Sequence, residues 1–384
     1  MRYIGNKTRL LEFIGGVLRR RGITGGTAVD PFCGTASVAR ALKRRGFRVL
    51  ASDVLELGHV FARAYVQASA LPDLSALAAH LGADGARGSH GSRTRSARER
   101  RVAGNGNGVG RADGAGRAAA DAVVAWLNRL PPRPGFIAEH FSPAGSGGRM
   151  YFTAENAGRI DAIRSLLGEW CGAGLVGDDG FYLLVTALVE AADRVANTTG
   201  VYASYVKSWQ PNAQRPLHLR LPRVVPGAGS RALRADARTL VPALEPFDLL
   251  YIDPPYNNRQ YPAYYHIPEI IAMGWAPEPP VLRGKVGLML HDTEKRSPFT
   301  SRRKGPAVLE ELVARAPCRH VALSYNAEGV IPEATIARIL KTHGRRGSYF
   351  CYKRHYKRYR SDADGEGRRY SGDVVEERLY CIER

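Results

Sequence analysis

Residues 249–261 read LLYIDPPYNNRQY, an apolar run that stops at an acid and continues through two prolines and a tyrosine. Pro254 and Pro255 fix φ and carry no N–H, so the backbone beyond Asp253 is stiff and offers carbonyl acceptors only. Asp253 adds a carboxylate, and Tyr256 a flat apolar face. Together the four residues suit a planar group that bears an NH2: two acceptors take its two hydrogens while a ring stacks on its face. Asp253, Pro254, Pro255 and Tyr256 are therefore the candidate catalytic residues.

Such a tip needs a strand to carry it. TRLLEFIGGVLRRRG has helical spacing of apolar residues and ends at Gly22, TAVDPF is a short strand, TASVARALKRRG a helix closed by Gly46, and RVLASD the next strand. From FDLLYIDPPY onward the rhythm returns, with KVGLMLHD and RHVALSYN as strands and PEATIARILKTHG as a helix. SYFCYKRHYKRYRSD and EERLYCIER read as two final strands around a basic loop. Strands alternating with helices at this spacing form βαβ units and a parallel sheet, an α/β fold in which ligands sit beyond the carboxyl ends of the strands.

Four strand ends are polar or small, VDPFCGT, ASD, YIDPPY and SYN, and they are expected to converge on one edge. In the first, Asp30, Pro31 and Phe32 lead to Gly34, which admits a ligand close to the backbone, and Thr35 opens a helix. That turn has neither the GxGxxG dinucleotide pattern nor the GxxxxGK[ST] phosphate loop, which argues against NAD and ATP. Asp53 ends the next strand, where α/β folds accept hydrogen bonds from ribose hydroxyls.

The middle of the chain has a different texture. A helical stretch from about Val54 to Leu81 gives way to residues 82–117, rich in Gly, Arg, Ser and Asn. With almost no large apolar side chains, such a segment cannot offset its ordering entropy, and a disordered basic loop is expected. From AAADAVVAWLNRL to about Asn197 the pattern is largely helical, and TGVYASYVKSWQPNAQRPLHLRLP is polar and aromatic with interspersed basic residues. The expected organisation is 1–63 and 231–384 as two parts of one α/β domain, with 64–230 inserted between them.

Composition bounds the partners. At 384 residues with 44% apolar content the chain can bury a sizeable core. No stretch approaches the roughly 18 apolar residues of a membrane span, and MRYIGNKTRLLEFI lacks a signal peptide's apolar core, so a cytoplasmic protein away from membranes is expected. Five scattered cysteines form no CxxC pair, which reads as reduced thiols and no metal. The 56 Lys and Arg against 36 Asp and Glu give a net charge of +20, which favours a polyanion.

IDPPY, together with the upstream DPFCGT, resembles the amino-methylating DNA methyltransferases, specifically the Dam-like, D12-class N6-adenine enzymes. YIGNKTRLL is similar to that family's first motif, which implies that Tyr3, Gly5 and Lys7 lie at the methionine part of S-adenosylmethionine. LRADARTL resembles the segment whose acid, here Asp236, lies near the cofactor's adenine. NNRQYPAYYHIPEII, ALSYN and YKRHYKRYRSD look like the later motifs of a branch found in type II modification enzymes. The order of motifs, lysine motif, glycine turn, long insertion and DPPY, matches the α-group arrangement. Cys33 and Thr35 depart from the small or glycine residues many members carry in the turn, which bears on cofactor affinity.

The resemblance implies a Rossmann-like, S-adenosylmethionine-dependent fold with an inserted, mostly helical recognition region. It also implies duplex DNA as substrate, an adenine flipped out of the stack, a cognate restriction endonuclease and a monomeric enzyme. Lys207, Trp209 and Gln210, Arg259 and Tyr261, Asn326, and Lys357 and Arg358 are the candidate DNA contacts, the last pair from a run that interleaves basic and aromatic residues. Tyr264, Tyr265 and His266 are expected with Tyr261 around the base pocket. The clamp reads an amino group rather than adenine alone, so an RNA adenine or cytosine-N4 enzyme stays open, as does a nucleic-acid binder without activity. An acid rather than a serine at position 253 leans towards adenine.

Overall fold

The computed structural model describes residues 1–3, 5–87, 109–257, 260–289, 297–357 and 374–384. Nine strands are present among them: β1 Thr27–Asp30, β2 Arg48–Asp53, β3 Arg231–Arg234, β4 Phe247–Ile252, β5 Leu282–Arg283, β6 Leu288–Met289, β7 Cys318–Asn326, β8 Phe350–Lys357 and β9 Val374–Glu383. Seven of them form one sheet in the order β3-β2-β1-β4-β7-β9-β8. The first five run parallel, and β9 lies antiparallel to both β7 and β8. The chain winds outward from β1 to β3 and then returns to the other side of β1 with β4. The order thus reverses between β1 and β4, and an open α/β sheet has its ligand crevice at such a reversal.

Side-chain alternation sends each strand's residues to opposite faces. Ala28, Leu249, Tyr251, Ala322 and Leu379 meet α1 (Leu11–Arg20), α2 (Ser37–Arg44) and α3 (Glu56–Ala62) on one face. Val29, Leu250, Ile252, Val321 and Leu323 face the other way. That face is covered by α9 (Ala237–Leu240), α12 (Gly305–Arg315) and α13 (Glu333–His343).

The remaining helices are α4 (Ser75–Arg87), α5 (Val109–Leu127), α6 (Phe136–Phe141), α7 (Ala154–Gly172), α8 (Asp178–Val195), α10 (Tyr261–Tyr264) and α11 (His266–Met273). Through α3, α8 and α11 the first core continues from the sheet to the helices of residues 64–230. Glu269 of α11 ties the chain after β4 to the chain after β2: its carboxylate accepts from Glu56 N at 3.0 Å and Leu57 N at 2.7 Å, which satisfies the open amides at the start of α3.

Three sequence expectations need correction. The helix read over 54–81 is broken: after α3 a π-helical turn, Arg63–Gln67, leads to an irregular stretch around Pro72 before α4 begins. The loop expected over 82–117 is shorter at both ends, because α4 runs to Arg87 and α5 starts at Val109, and the two helices are in contact. Their abundant alanines outweigh their glycines; the loop's middle, 88–108, lies outside the described residues. KVGLMLHD is not a strand of the main sheet. Gly284 and Gly287, at φ 71° and 67°, turn the chain into a β5–β6 hairpin, leaving only Leu288–Met289 extended, while 290–296 lie outside the described residues.

β3 goes unrecognised in the sequence. RALR has two exposed arginines and one buried alanine, the composition of an edge strand rather than of a buried run. Among the described residues no helix is long and apolar enough to cross a membrane.

Glu269→Ala leaves two amides at the start of α3 without an acceptor, one of them in a fully buried bond. The expected loss of stability is about 2 kcal/mol or more, read from the denaturant midpoint. An unchanged midpoint would show that α3 does not depend on this cap.

Candidate active site

The carboxyl ends of β1, β2 and β4 and the segment after β3 open on one cavity, with the N-terminal segment as its far wall. Asp30, Pro31, Phe32, Gly34 and Thr35 line it from the β1 turn, and Asp53 from β2. Asp236 follows β3, Asp253 and Pro255 follow β4, and Tyr3, Gly5 and Lys7 close the other side. Gln260 holds the outer wall, accepting from Ser297 N at 3.1 Å and donating to Thr300 Oγ1 at 2.8 Å, which brings Phe299 edge-on to Phe32.

The β1 turn is fixed by β2. Cys33 N donates to the Ser52 carbonyl at 3.0 Å, and Gly34 N to Asp53 Oδ2 at 2.9 Å. Gly34 has φ 50°, and a Cβ there would stand 3.1 Å from the Tyr3 ring, so the close approach needs glycine. Ala36 also sits at positive φ, 56°, and caps α2; a non-glycine residue there stores about 1 kcal/mol of strain.

Asp53 has little freedom. Its Oδ1 accepts from Leu55 N at 3.0 Å while Oδ2 holds Gly34, so both oxygens already serve the backbone. Gly58 lies beneath it, where a Cβ would come within 2.4 Å of Asp53 Cβ. Asp236 is likewise engaged: it caps α9 through Arg238 N at 2.8 Å and pairs with the Arg238 guanidinium at 2.6 Å.

At the centre lies a buried lysine. Lys7 Nζ is 3.1 Å from Asp253 Oδ1 and 2.8 Å from Glu377 Oε1 of β9, and Ser324 Oγ of β7 donates to the same Glu377 oxygen at 2.7 Å. Burial works against the Lys7 charge, but Asp253 and Glu377 outweigh it and hold the ammonium protonated. For Asp253, burial raises the carboxyl to about 7 against the pull of Lys7, with Glu377 adding to the rise. Burial likewise pushes Asp30 well above the usual carboxylate range, and the Asp253 charge adds to it.

The aromatic face is built from several elements. The Tyr256 carbonyl accepts from Val330 N at 2.8 Å, which fixes the tip against the loop after β7, and the Tyr256 ring meets Tyr325 edge-on at 6.2 Å. Tyr3 stacks on Tyr265 at 4.3 Å and tilts against Tyr261 at 5.5 Å. Gly5, at φ 79°, passes so near that a Cβ would stand 3.0 Å from the Tyr261 hydroxyl. Tyr265 and His266 are buried, so half of the expected aromatic set belongs to the core.

The candidate DNA contacts divide. Lys207 is exposed and Trp209 half-buried. The Gln210 amide is turned inward, donating to the Thr198 carbonyl at 3.2 Å. Tyr261 lines the cavity beside Tyr3 rather than the outer surface. Asn326 is buried, and its Oδ1 accepts from Glu328 N at 2.9 Å to close its own turn, so it is not free at the surface for DNA. Arg259 and Arg358 lie outside the described residues, as does the side chain of Lys357, the last residue of β8.

The basic run appears instead through Lys353 and Arg354. With Arg9 of the N-terminal segment and Arg19 and Arg20 of α1, they line a groove between α1 and β8. Glu12, the acid in that groove, leans 3.6 Å from Arg45.

A cavity at the sheet's reversal point, with the Asp253–Tyr256 tip on one side and a fixed glycine turn on the other, is consistent with a Rossmann-like methyltransferase fold. Comparison with known proteins names the family: the model for the D12 class N6 adenine-specific DNA methyltransferases matches residues 3–84 and 118–280. The chain is 34% identical over 259 residues to the type II methyltransferase M.NlaIII of Neisseria lactamica, across 67% of this chain and 74% of that one. It is 30% identical to the type II methyltransferase M.FokI of Planomicrobium okeanokoites, across 94% of this chain and 50% of the relative. The modification methylase StsI of Streptococcus sanguinis is 27% identical across 94% and 49%. The chain thus spans about half the length of the last two. No solved structure matches it. The chain belongs to the D12 class of N6 adenine-specific DNA methyltransferases.

The cavity fits the cofactor that a methyltransferase family implies. Among the described residues four carboxylates line it, Asp30, Asp53, Asp236 and Asp253, and Asp30 Oδ1 is buried with no hydrogen-bond partner there. An orphan buried carboxylate oxygen suits a ligand bearing a cationic donor, as the ammonium of S-adenosylmethionine does.

Neither Gly58 nor Glu377 stands out in the sequence. Neither has a local signal: one matters for what lies above it, the other for a partner 370 residues away. Gly58→Ala must displace Asp53 and free the β1 turn. The expected result is about tenfold weaker binding of S-adenosylmethionine by calorimetry, the equivalent of one missing charge-assisted bond; equal affinity would show that Asp53 is not what holds the turn.

Proposed function

We propose that this chain methylates the N6 amino group of adenine in duplex DNA, with Asp253 and the Pro254 carbonyl as the acceptors of the two amino hydrogens. The observation that carries the reading is the Lys7–Asp253 pair at the tip of β4, on the shared edge of the glycine-turn cavity. S-adenosylmethionine supplies an electrophilic methyl group carried on a sulfonium. Tyr3, Gly5 and Lys7, with Asp30, Gly34 and Asp53, would hold it.

The chain's own contribution is positioning and polarisation. Asp253 and the Pro254 carbonyl accept hydrogen bonds from the two amino hydrogens, which leaves the nitrogen lone pair directed away from the acceptors and raises its nucleophilicity; one hydrogen stays on the methylated nitrogen, and the proton it must shed would pass through Asp253 to solvent. Tyr256, fixed by Val330 and Tyr325, offers its face to the base. The amino group is out of reach inside a duplex, so the adenine must be flipped out, at a cost of a few kcal/mol that stacking and phosphate contacts offset.

Residues 64–230 form the target-recognition region in this reading, with Lys207 and Trp209 on the DNA side. The α1–β8 groove would be a track for phosphates. A cognate restriction endonuclease, a cytoplasmic location and action as a monomer complete it; the type II names of the relatives support the first.

Three outcomes test this. Asp253→Asn should abolish methyl transfer while leaving the unfolding midpoint and most cofactor binding intact; a variant as active as the parent would sink the role assigned to Asp253. The acceptor works only when ionised, and its proton is held until about pH 7. The parent's kcat should therefore rise with pH along an acid limb near that value, and a profile flat from pH 5 to 9 would contradict it. Replacing Arg9 and Arg354 together by Ala should lower the slope of log Kd against log salt by roughly one for each phosphate no longer neutralised. An unchanged slope would take the groove out of the DNA path.

A further inference from the structure

Glu377 lies outside both segments that the family model matches and opposite Asn326 in the β7–β9 register. It is 1% exposed, yet it is not a satisfied structural acid. Its Oε1 takes both the Lys7 ammonium and the Ser324 hydroxyl, while its Oε2 is buried and has no hydrogen-bond partner among the described residues. The neighbour across the strand pair, Arg354, is exposed and makes no bond to it. A buried carboxylate left half-satisfied costs stability that an apolar residue there would not. What the arrangement provides is a second anion on a lysine whose other partner is the acceptor of the clamp.

We propose that Glu377 is a positioning residue of the transfer reaction: it holds the Lys7 ammonium between itself and Asp253, and so fixes both the orientation and the charge of the acceptor carboxylate. The inference rests on the reading of Asp253 as acceptor. With Lys7 shared, Asp253 keeps more of its negative charge for the amino hydrogens than it would with the lysine to itself. Among the described residues, the groups facing Asp253 are Lys7 from the N-terminal segment, Glu377 from β9, Asp30 from β1, Tyr251 and Tyr256 from either side of the β4 tip, Tyr261 from α10 and Tyr356 from β8. Among them only Lys7 is cationic. Removing the Glu377 charge therefore gives the whole ammonium to Asp253 and favours its ionised form.

The test compares full-length parent, Glu377→Asp and Glu377→Gln in kcat across pH, with each variant's folding checked by its unfolding midpoint. Both variants keep an oxygen for Lys7 and Ser324. The acid limb should move to lower pH by about one unit in Glu377→Gln and by less in Glu377→Asp, whose shorter carboxylate withdraws from the pair. The plateau kcat of Glu377→Gln should fall about tenfold, as it does when a residue that orients another is removed. A limb that stays in place in both folded variants, or one that moves to higher pH, overturns the proposal, and Glu377 would then be a fastening for β9 alone. Asp253→Asn run alongside separates the two levels: if it retains activity, the acceptor assignment has failed, whereas an inactive Asp253→Asn with unmoved limbs rejects Glu377 only.

Discussion

One buried ammonium between two carboxylates holds this site together. Lys7 is 3% exposed, and a charge taken that far from water is tolerated only when anions surround it. Its partners come from the tip of β4 and from β9, so the pairing fixes the N-terminal segment to the last strand in the chain. That segment is tied at a second point: Arg2 N donates to Asp193 Oδ2 at 2.7 Å, and the Arg2 guanidinium reaches the carbonyls that end α8. Between these anchors Tyr3 and Gly5 are set against the glycine turn and the Tyr261 ring. Without the lysine pairing, the cavity would lack one wall and Asp253 its charged partner.

Charge is segregated by scale. The chain carries +20 overall, while the cavity is lined by four carboxylates against Lys7 and Arg238. Under the proposed function, a cationic cofactor inside and a polyanion outside would each meet the opposite sign. The exposed arginines of the α1–β8 groove include Arg9, two positions from Lys7. Residues 1–20 therefore line both the cavity and the groove.

Much of this is legible in the sequence, and the exceptions have physical causes. β1, β2, β4 and β7 are short apolar runs with polar tips, and their parallel order brings those tips together as βαβ rules require. β3 escapes notice because an edge strand needs no apolar run, and KVGLMLHD misleads because the glycines around it decide its path. The Asp253–Tyr256 tip and the glycine turn are local patterns, so the residues that line the cavity from them can be named from the chain alone. Asn326 and Gln210 suit DNA contacts by residue type, but both amides are spent on nearby backbone groups, which only tertiary placement reveals. Glu377 depends on register across three strands, and Gly58 on a side chain five positions away, so neither has a sequence signature.

Whether the β4 tip accepts the hydrogens of an exocyclic amino group is decided by nucleoside mass spectrometry of duplex DNA and of structured RNA after incubation with the purified protein and S-adenosylmethionine. N6-methyldeoxyadenosine is expected from the DNA and no methylated nucleoside from the RNA. A methyl group on carbon, as in 5-methylcytosine, would contradict the clamp itself, and N4-methylcytosine or a methylated RNA base would contradict the substrate assigned to it.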